Sequence, residues 1–306
     1  MADSAGGRAG AATLAQLKGI GWIVVSGLLF VAVTGTVRHL GSDMNPMQAA
    51  FLRYAFGLVL MAPVLVRLGR ERLRHARLAL HAVRGLVHAL AVMLWFYAMA
   101  RIPIAQVTAL GFTAPIFTTL GAALFLGERL RARRVVAVLA GFAGALVILR
   151  PGLVAVNPGA IAQLVAAPMF ATSFLLAKKL TETDSNAVIV GLMAVFVTLA
   201  LAPPALAVWR TPSPQELAWL AATAVFATAG HAALTQAFRS AEIGVLQPAT
   251  FLQLVWATLL GLYAFGEAPD AWTWAGGGVI VASASYIAHR ESRTRRTARI
   301  GVRPRF

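Results

Sequence analysis

The chain has 306 residues, of which 59% are hydrophobic and 12% charged, with a formal net charge of +16 and no cysteine. Soluble domains carry about a quarter charged residues, so this much apolar side chain needs a bilayer as its solvent. The missing cysteines exclude disulfides, thiolate metal sites and cysteine nucleophiles, and the positive charge sits in short clusters between apolar runs, which argues against a nucleic-acid partner.

A helix needs roughly 20 mainly apolar residues to cross a hydrocarbon core of ~30 Å. Such stretches fall at 19–37, 46–66, 78–100, 104–126, 135–149, 159–177, 186–208, 217–237, 245–265 and 272–289. The fifth is short and extends at both ends. No small-residue cleavage site follows the first, which reads as a retained helix rather than a signal peptide. Short connections leave no room for a soluble domain. The pattern predicts an all-α membrane protein of about ten transmembrane helices, multi-pass, with tails over 1–18 and 290–306.

Basic residues set the orientation. One side collects 21 Lys and Arg, among them Arg67 to Arg77, Arg129 to Arg134, Lys178, Lys179 and the tail from Arg290; the other side has Arg38, Arg101, Arg150 and Arg210. That asymmetry places both termini in the cytoplasm. Arginine outnumbers lysine 24 to 3, a bias of GC-rich bacterial genomes that points to a bacterial cytoplasmic (inner) membrane. The basic tail at 290–306 serves as an orientation signal in contact with the lipid bilayer.

Polar residues inside spans are costly and mark cavities. Span one offers Trp22 and Ser26 near its cytoplasmic end. In span two Arg53 is equally suited to bonding helix ends and to touching a ligand. In span three His81, Arg84, His88 and Trp95 follow at steps of 3, 4 and 7, which keeps them on one face. His88 lies near mid-membrane and Arg84 about 6 Å nearer the cytoplasm; Arg84 is the expected cavity cation, suited to a carboxylate or phosphate. Span four adds Thr108 and Phe112, span six Gln163 with Phe170 and Phe174, span eight Thr228, His231 and Thr235, and span nine Gln253 and Trp256 with Tyr263. The expected substrate contacts are Arg84, His88, Trp95, Thr108, Phe112, Gln163, His231, Thr235, Gln253 and Trp256, because aromatic residues with sparse hydrogen-bonding groups suit a small ligand. Pro115, Pro168 and Pro248 are the candidate kinks or gates. All eleven acids fall in loops, tails or span ends, so ion coupling would fall to His88 or His231, with facilitated exchange as the other route.

Tyr97-Ala-Met-Ala-Arg-Ile-Pro-Ile-Ala leads through span four to Gly127-Glu128. At an offset of 139, Gln236-Ala-Phe-Arg-Ser-Ala-Glu-Ile-Gly leads through span nine to Gly266-Glu267. Glycine-rich spans follow both, with Gly141 and Gly144 in one and Gly276, Gly277 and Gly278 in the other. The match divides the chain into halves at 19–150 and 159–289. Five spans per half is odd, so the halves enter the membrane in opposite senses, an arrangement recurring in secondary transporters.

Phe51-Leu52-Arg53-Tyr54, Thr113-Ala114-Pro115-Ile116-Phe117 and the two Gly-Glu ends resemble the drug/metabolite transporter superfamily, specifically its EamA type, from about Gly19 to His289. The resemblance implies two inverted five-helix repeats around a central cavity formed chiefly by spans one, three, four, six, eight and nine. It also implies export or exchange of amino acids, vitamins, nucleobases, carboxylates or drugs. The expected function is a secondary transporter, as exporter or exchanger, of amino acids or other carboxylate-bearing compounds by alternating access, with a vitamin, nucleobase or drug as alternative. No catalytic residue, metal or cofactor is expected. The spans lack the His-Glu-x-x-His and Gly-x-Ser signatures of intramembrane enzymes, and no phosphate-binding loop is present for ATP-driven pumping. A non-transporting scaffold would need no polar cavity. A monomer or a homodimer fits equally.

Overall fold

The computed structural model describes residues 3–40, 44–74, 76–114, 116–117, 132–150, 152–153, 155–241, 246 and 249–299. Among these residues there are ten helices: α1 (Asp3–Leu40), α2 (Pro46–Arg74), α3 (Leu78–Met99), α4 (Ile104–Gly111), α5 (Ala132–Leu149), α6 (Pro158–Leu180), α7 (Asn186–Ala207), α8 (Pro214–Ser240), α9 (Leu252–Phe265) and α10 (Ala271–Arg299). Six carry a stretch long and apolar enough to cross a membrane, in α1, α2, α3, α6, α7 and α8; Val135–Leu149 and Leu252–Phe265 are shorter apolar helices. The protein is therefore a multi-pass membrane protein, and its helices follow the ten expected spans in order.

Local chemistry sets the helix ends. Asn157 precedes Pro158 and accepts a hydrogen bond from the Gly159 N–H (2.8 Å), while Ser185 accepts one from Val188 (3.3 Å). Ser213 and Glu216 form a reciprocal capping box at the start of α8, behind Pro214 at the first helical position; each satisfies backbone donors that helix geometry leaves free. α9 stops at Gly266, whose φ of 65° lies in the left-handed region that glycine adopts at no steric cost.

The packing pattern repeats. α1 lies along α8, and α3 lies along α6; α2 packs on α7, α4 on α9, and α5 on α10. Exchanging helices 1 to 5 for helices 6 to 10 interchanges the α1–α8 and α3–α6 pairs and returns each of the other three to itself. In the α5–α10 pair the backbones nearly touch, since a Cβ added to Gly144 would lie 2.7 Å from the Gly276 carbonyl oxygen. Small residues permit this approach in membranes.

The expected spans four and nine are both interrupted. α4 ends at Gly111, where the Thr113 hydroxyl donates to the Leu110 carbonyl (2.7 Å), and α9 begins only after Phe251. The interruptions lie 139 residues apart, and the rings of Phe112 and Phe251 meet edge to face at 4.9 Å. Pro168 lies inside the continuous helix α6. Pro115, Pro248 and Glu128 lie outside the described residues.

Candidate binding cavity

A cavity of about 260 Å³ lies among α1, α2, α3, α4, α6, α8 and α9. Its walls are mostly apolar and aromatic: Phe30 from α1, Trp95 and Phe96 from α3, Phe112 beyond α4, and Phe170 and Phe174 from α6. Phe170 and Phe174 lie nearly parallel at 6.0 Å, and both His88 and Trp95 turn edges to Phe170, at 5.3 and 6.1 Å. These rings give the cavity an aromatic wall, whose faces and edges offer a flat ligand the favoured ring geometries.

Sparse polar groups break this surface. His88 is 1% exposed, and its Nδ1 is hydrogen-bonded to the Ser173 hydroxyl at 2.9 Å. His231 is 3% exposed and lies 5.2 Å from His88 and 5.0 Å from Phe30, ring to ring. The Ser26 hydroxyl donates to the Gly230 carbonyl (3.0 Å) and ties α1 to α8 beside His231. Among the described residues, four buried atoms of the lining have no protein partner: Tyr54 Oη, His88 Nε2, Gln163 Oε1 and His231 Nδ1. An unmet buried polar atom costs roughly 1–3 kcal/mol, and a ligand's own donors and acceptors would offset that cost. Gly111 lets the Gln163 amide approach the broken end of α4; a Cβ there would lie 3.1 Å from Gln163 Nε2.

Seven of the ten expected substrate contacts line this cavity: His88, Trp95, Thr108, Phe112, Gln163, His231 and Gln253. Three do not. Arg84 is 2% exposed but is enclosed between α3 and α7, where it donates to the Ile189 carbonyl (3.2 Å) and the Met193 sulfur (3.1 Å). Its spacing from His88 puts it on the same helical face, yet α7 covers that face at its depth. Thr235 donates its hydroxyl to the His231 carbonyl one turn back (2.8 Å). Trp256 packs with the cluster of Val31, Ile104 and Ala257, away from the cavity. Tyr263, grouped with it by spacing, is 82% exposed.

Among the described residues the cation that reaches the cavity is Arg53, whose guanidinium lies 3.8 Å from the centre of the Tyr54 ring. α2 thus joins the six expected cavity helices. The sequence signal for Arg53 was a charge inside a span; nothing in the spacing singled out Tyr54. No aspartate or glutamate lines the cavity among the described residues. Outside it, His81 and Asp184 form a buried pair at 2.8 Å, and Arg239 donates to the Asp184 carbonyl.

The chain is similar along nearly its whole length to proteins of known role. It is 30% identical over 289 residues to the riboflavin transporter of Vibrio cholerae, covering 92% of this chain and 97% of that one. It is 31% identical over 278 residues to the riboflavin transporter of Rhizobium johnstonii (90% and 92%), and 28% over 277 residues to the S-adenosylmethionine uptake transporter of Rickettsia conorii (90% and 94%). A crystal structure only 20% identical shares the fold, with a TM-score of 0.59 over 92% of this chain and 98% of that one. The model of the EamA-like transporter family matches twice, at residues 17–150 and 157–288. With transporters as its relatives and that family match covering both halves, the chain belongs to the EamA-like transporter family, within the drug/metabolite transporter superfamily, and is a transporter rather than an enzyme.

Proposed function

We propose that the protein takes up a small, flat, polar metabolite of the vitamin class across a bacterial inner membrane. Transport proceeds by alternating access around the central cavity, in a chain of two five-helix halves, 19–150 and 159–289, inserted in opposite senses with both termini cytoplasmic. The observation that carries this reading is the aromatic cavity wall with its four polar atoms that lack a partner among the described residues, Tyr54 Oη, His88 Nε2, Gln163 Oε1 and His231 Nδ1. Trp95, Thr108, Phe112 and Gln253 complete the proposed contacts, and Pro168 supplies local weakness in α6 by removing one backbone donor.

The relatives separate into two substrates, and cavity charge favours one of them. S-adenosylmethionine carries a carboxylate that Arg53 could meet, but it is a net cation whose sulfonium and ammonium find no acid among the described lining residues. Riboflavin is uncharged, with a flat ring, an amide-like edge and a hydroxyl tail, and matches rings interleaved with glutamine, histidine and hydroxyl groups. The Rickettsia relative is named for uptake, so the export direction expected from the sequence finds no support there. A second reading keeps the carboxylate-bearing substrate, with Arg53 in the role expected of Arg84.

Counterflow of labelled riboflavin into proteoliposomes, challenged with S-adenosylmethionine and with amino acids, tests both. Saturable riboflavin uptake that falls about tenfold or more in His88→Ala and Gln163→Ala is expected. Movement of S-adenosylmethionine but not riboflavin would refute the charge argument. Movement of amino acids alone would establish the second reading.

A further inference from the structure

Two cationic side chains tie helix ends together at opposite ends of the cavity. In the last turn of α1, Arg38 donates from Nε to Glu267 Oε1 (2.7 Å) and from a terminal nitrogen to the Met99 carbonyl at the end of α3 (3.1 Å). Glu267 accepts the Ile104 N–H on its other oxygen (3.0 Å). In the last turn of α6, Lys178 donates to the Phe238 carbonyl and to the Ala241 carbonyl (3.0 Å), at the end of α8. Met99 and Phe238 lie 139 residues apart, and Arg38 and Lys178 lie 140 apart. The two contacts are therefore counterparts under the repeat.

Their positions are distinct. Ala241 abuts Gly19, where an added Cβ would lie 2.9 Å from its own Cβ. Arg38 lies nineteen residue steps along α1 from Gly19, about 28 Å of helix. The first contact joins α1 to α3, and the second joins α6 to α8. Elsewhere α1 and α3 belong to different packed pairs, α1 with α8 and α3 with α6, and the cavity lies between these pairs. A basic residue that merely capped its own helix would bond that helix's last carbonyls. Arg38 and Lys178 instead reach the carbonyls of a neighbour, across the line along which the two packed pairs would separate.

We infer that Arg38, with Glu267, and Lys178 are two gate latches, one at each end of the cavity, and that each is released in turn during transport. The inference rests on the alternating-access reading above. Both latches are closed in this structure.

The absence of native cysteine makes the test clean. Ala171 lines the cavity, so Ala171→Cys is a unique reporter for a membrane-impermeant maleimide applied to either face of oriented vesicles. Arg38→Ala should raise labelling from the face at the Arg38 end relative to the other, and Lys178→Ala should do the reverse, each by about tenfold in the ratio, the scale of a charge-assisted hydrogen bond. Arg38→Lys, which keeps the charge but not the two-nitrogen fork, should fall between the parent and Arg38→Ala. Glu267→Gln, which leaves Arg38 in place, should shift the ratio the same way as Arg38→Ala and serves if that variant does not fold. Shifts of the same sign from both latches, or an unchanged ratio in folded variants whose reporter still labels from both faces, would overturn the latches alone. A reporter that labels from one face in every variant would overturn alternating access itself.

Discussion

Two arginines lie buried in the first half, and their surroundings assign them different work. Arg84 meets a carbonyl and a thioether, its Nε has no partner among the described residues, and it does not reach the cavity. A buried cation without an acid contributes little net stability, and an apolar side chain of similar length commonly replaces one at no loss. Arg84→Met should therefore leave the melting temperature in detergent unchanged or raised, with transport within about twofold of the parent. Arg53→Met should keep the fold and raise KM about tenfold, because it removes a charged donor from the cavity wall. Equal losses in both variants would contradict this division. The histidines were legible from sequence because titratable groups in a span are rare and face the interior. The roles of the arginines were not, since periodicity gives an angle around the helix axis but not which neighbouring helix covers that angle at a given depth.

At the scale of elements, the ten apolar stretches and their order were legible, as were the glycines at the α5–α10 crossing. The breaks beside Phe112 and Phe251 were not, because hydropathy is blind to an interrupted hydrogen-bond ladder. Acidic end groups show a similar split. The repeated Gly-Glu singled out Glu267, which ties helix ends, whereas only the structure shows that Asp270 starts α10. Hydrogen bonds from Thr273, including its N–H at 2.8 Å, and the Arg150 guanidinium at 2.9 Å hold the Asp270 carboxyl below its ordinary range. A carboxyl depressed in the folded state contributes stability above its unfolded pKa, and that contribution fades as pH falls through the folded value. Melting curves between about pH 5 and pH 3 should therefore show a steeper loss in the parent than in Asp270→Asn. Parallel curves would show that the cap contributes nothing. The side chain is partly exposed, so the difference will be small and sensitive to salt.

For the whole molecule, a weak repeat in sequence foretold a strong one in packing. Few residues match at the offset of 139, yet nearly all the helix pairs map onto one another. Packing geometry tolerates side-chain change that erases sequence identity, so long as small residues stay where backbones touch. Phe112 and Phe251 occupy equivalent positions in this scheme and touch each other. In an isologous dimer, only a residue on the symmetry axis meets its own copy. This single chain therefore carries a dimer's bookkeeping within one gene: a substitution at either ring creates an unlike pair that no symmetric ancestor contained, while substituting both restores a like pair. In a double-mutant cycle, Phe112→Leu and Phe251→Leu should together cost less stability than the sum of the two singly, by about 0.5–1.5 kcal/mol, and strict additivity would show that the rings do not share an axis. Two codons of one gene thus specify the two sides of a single contact, and a change in either is felt at the same place.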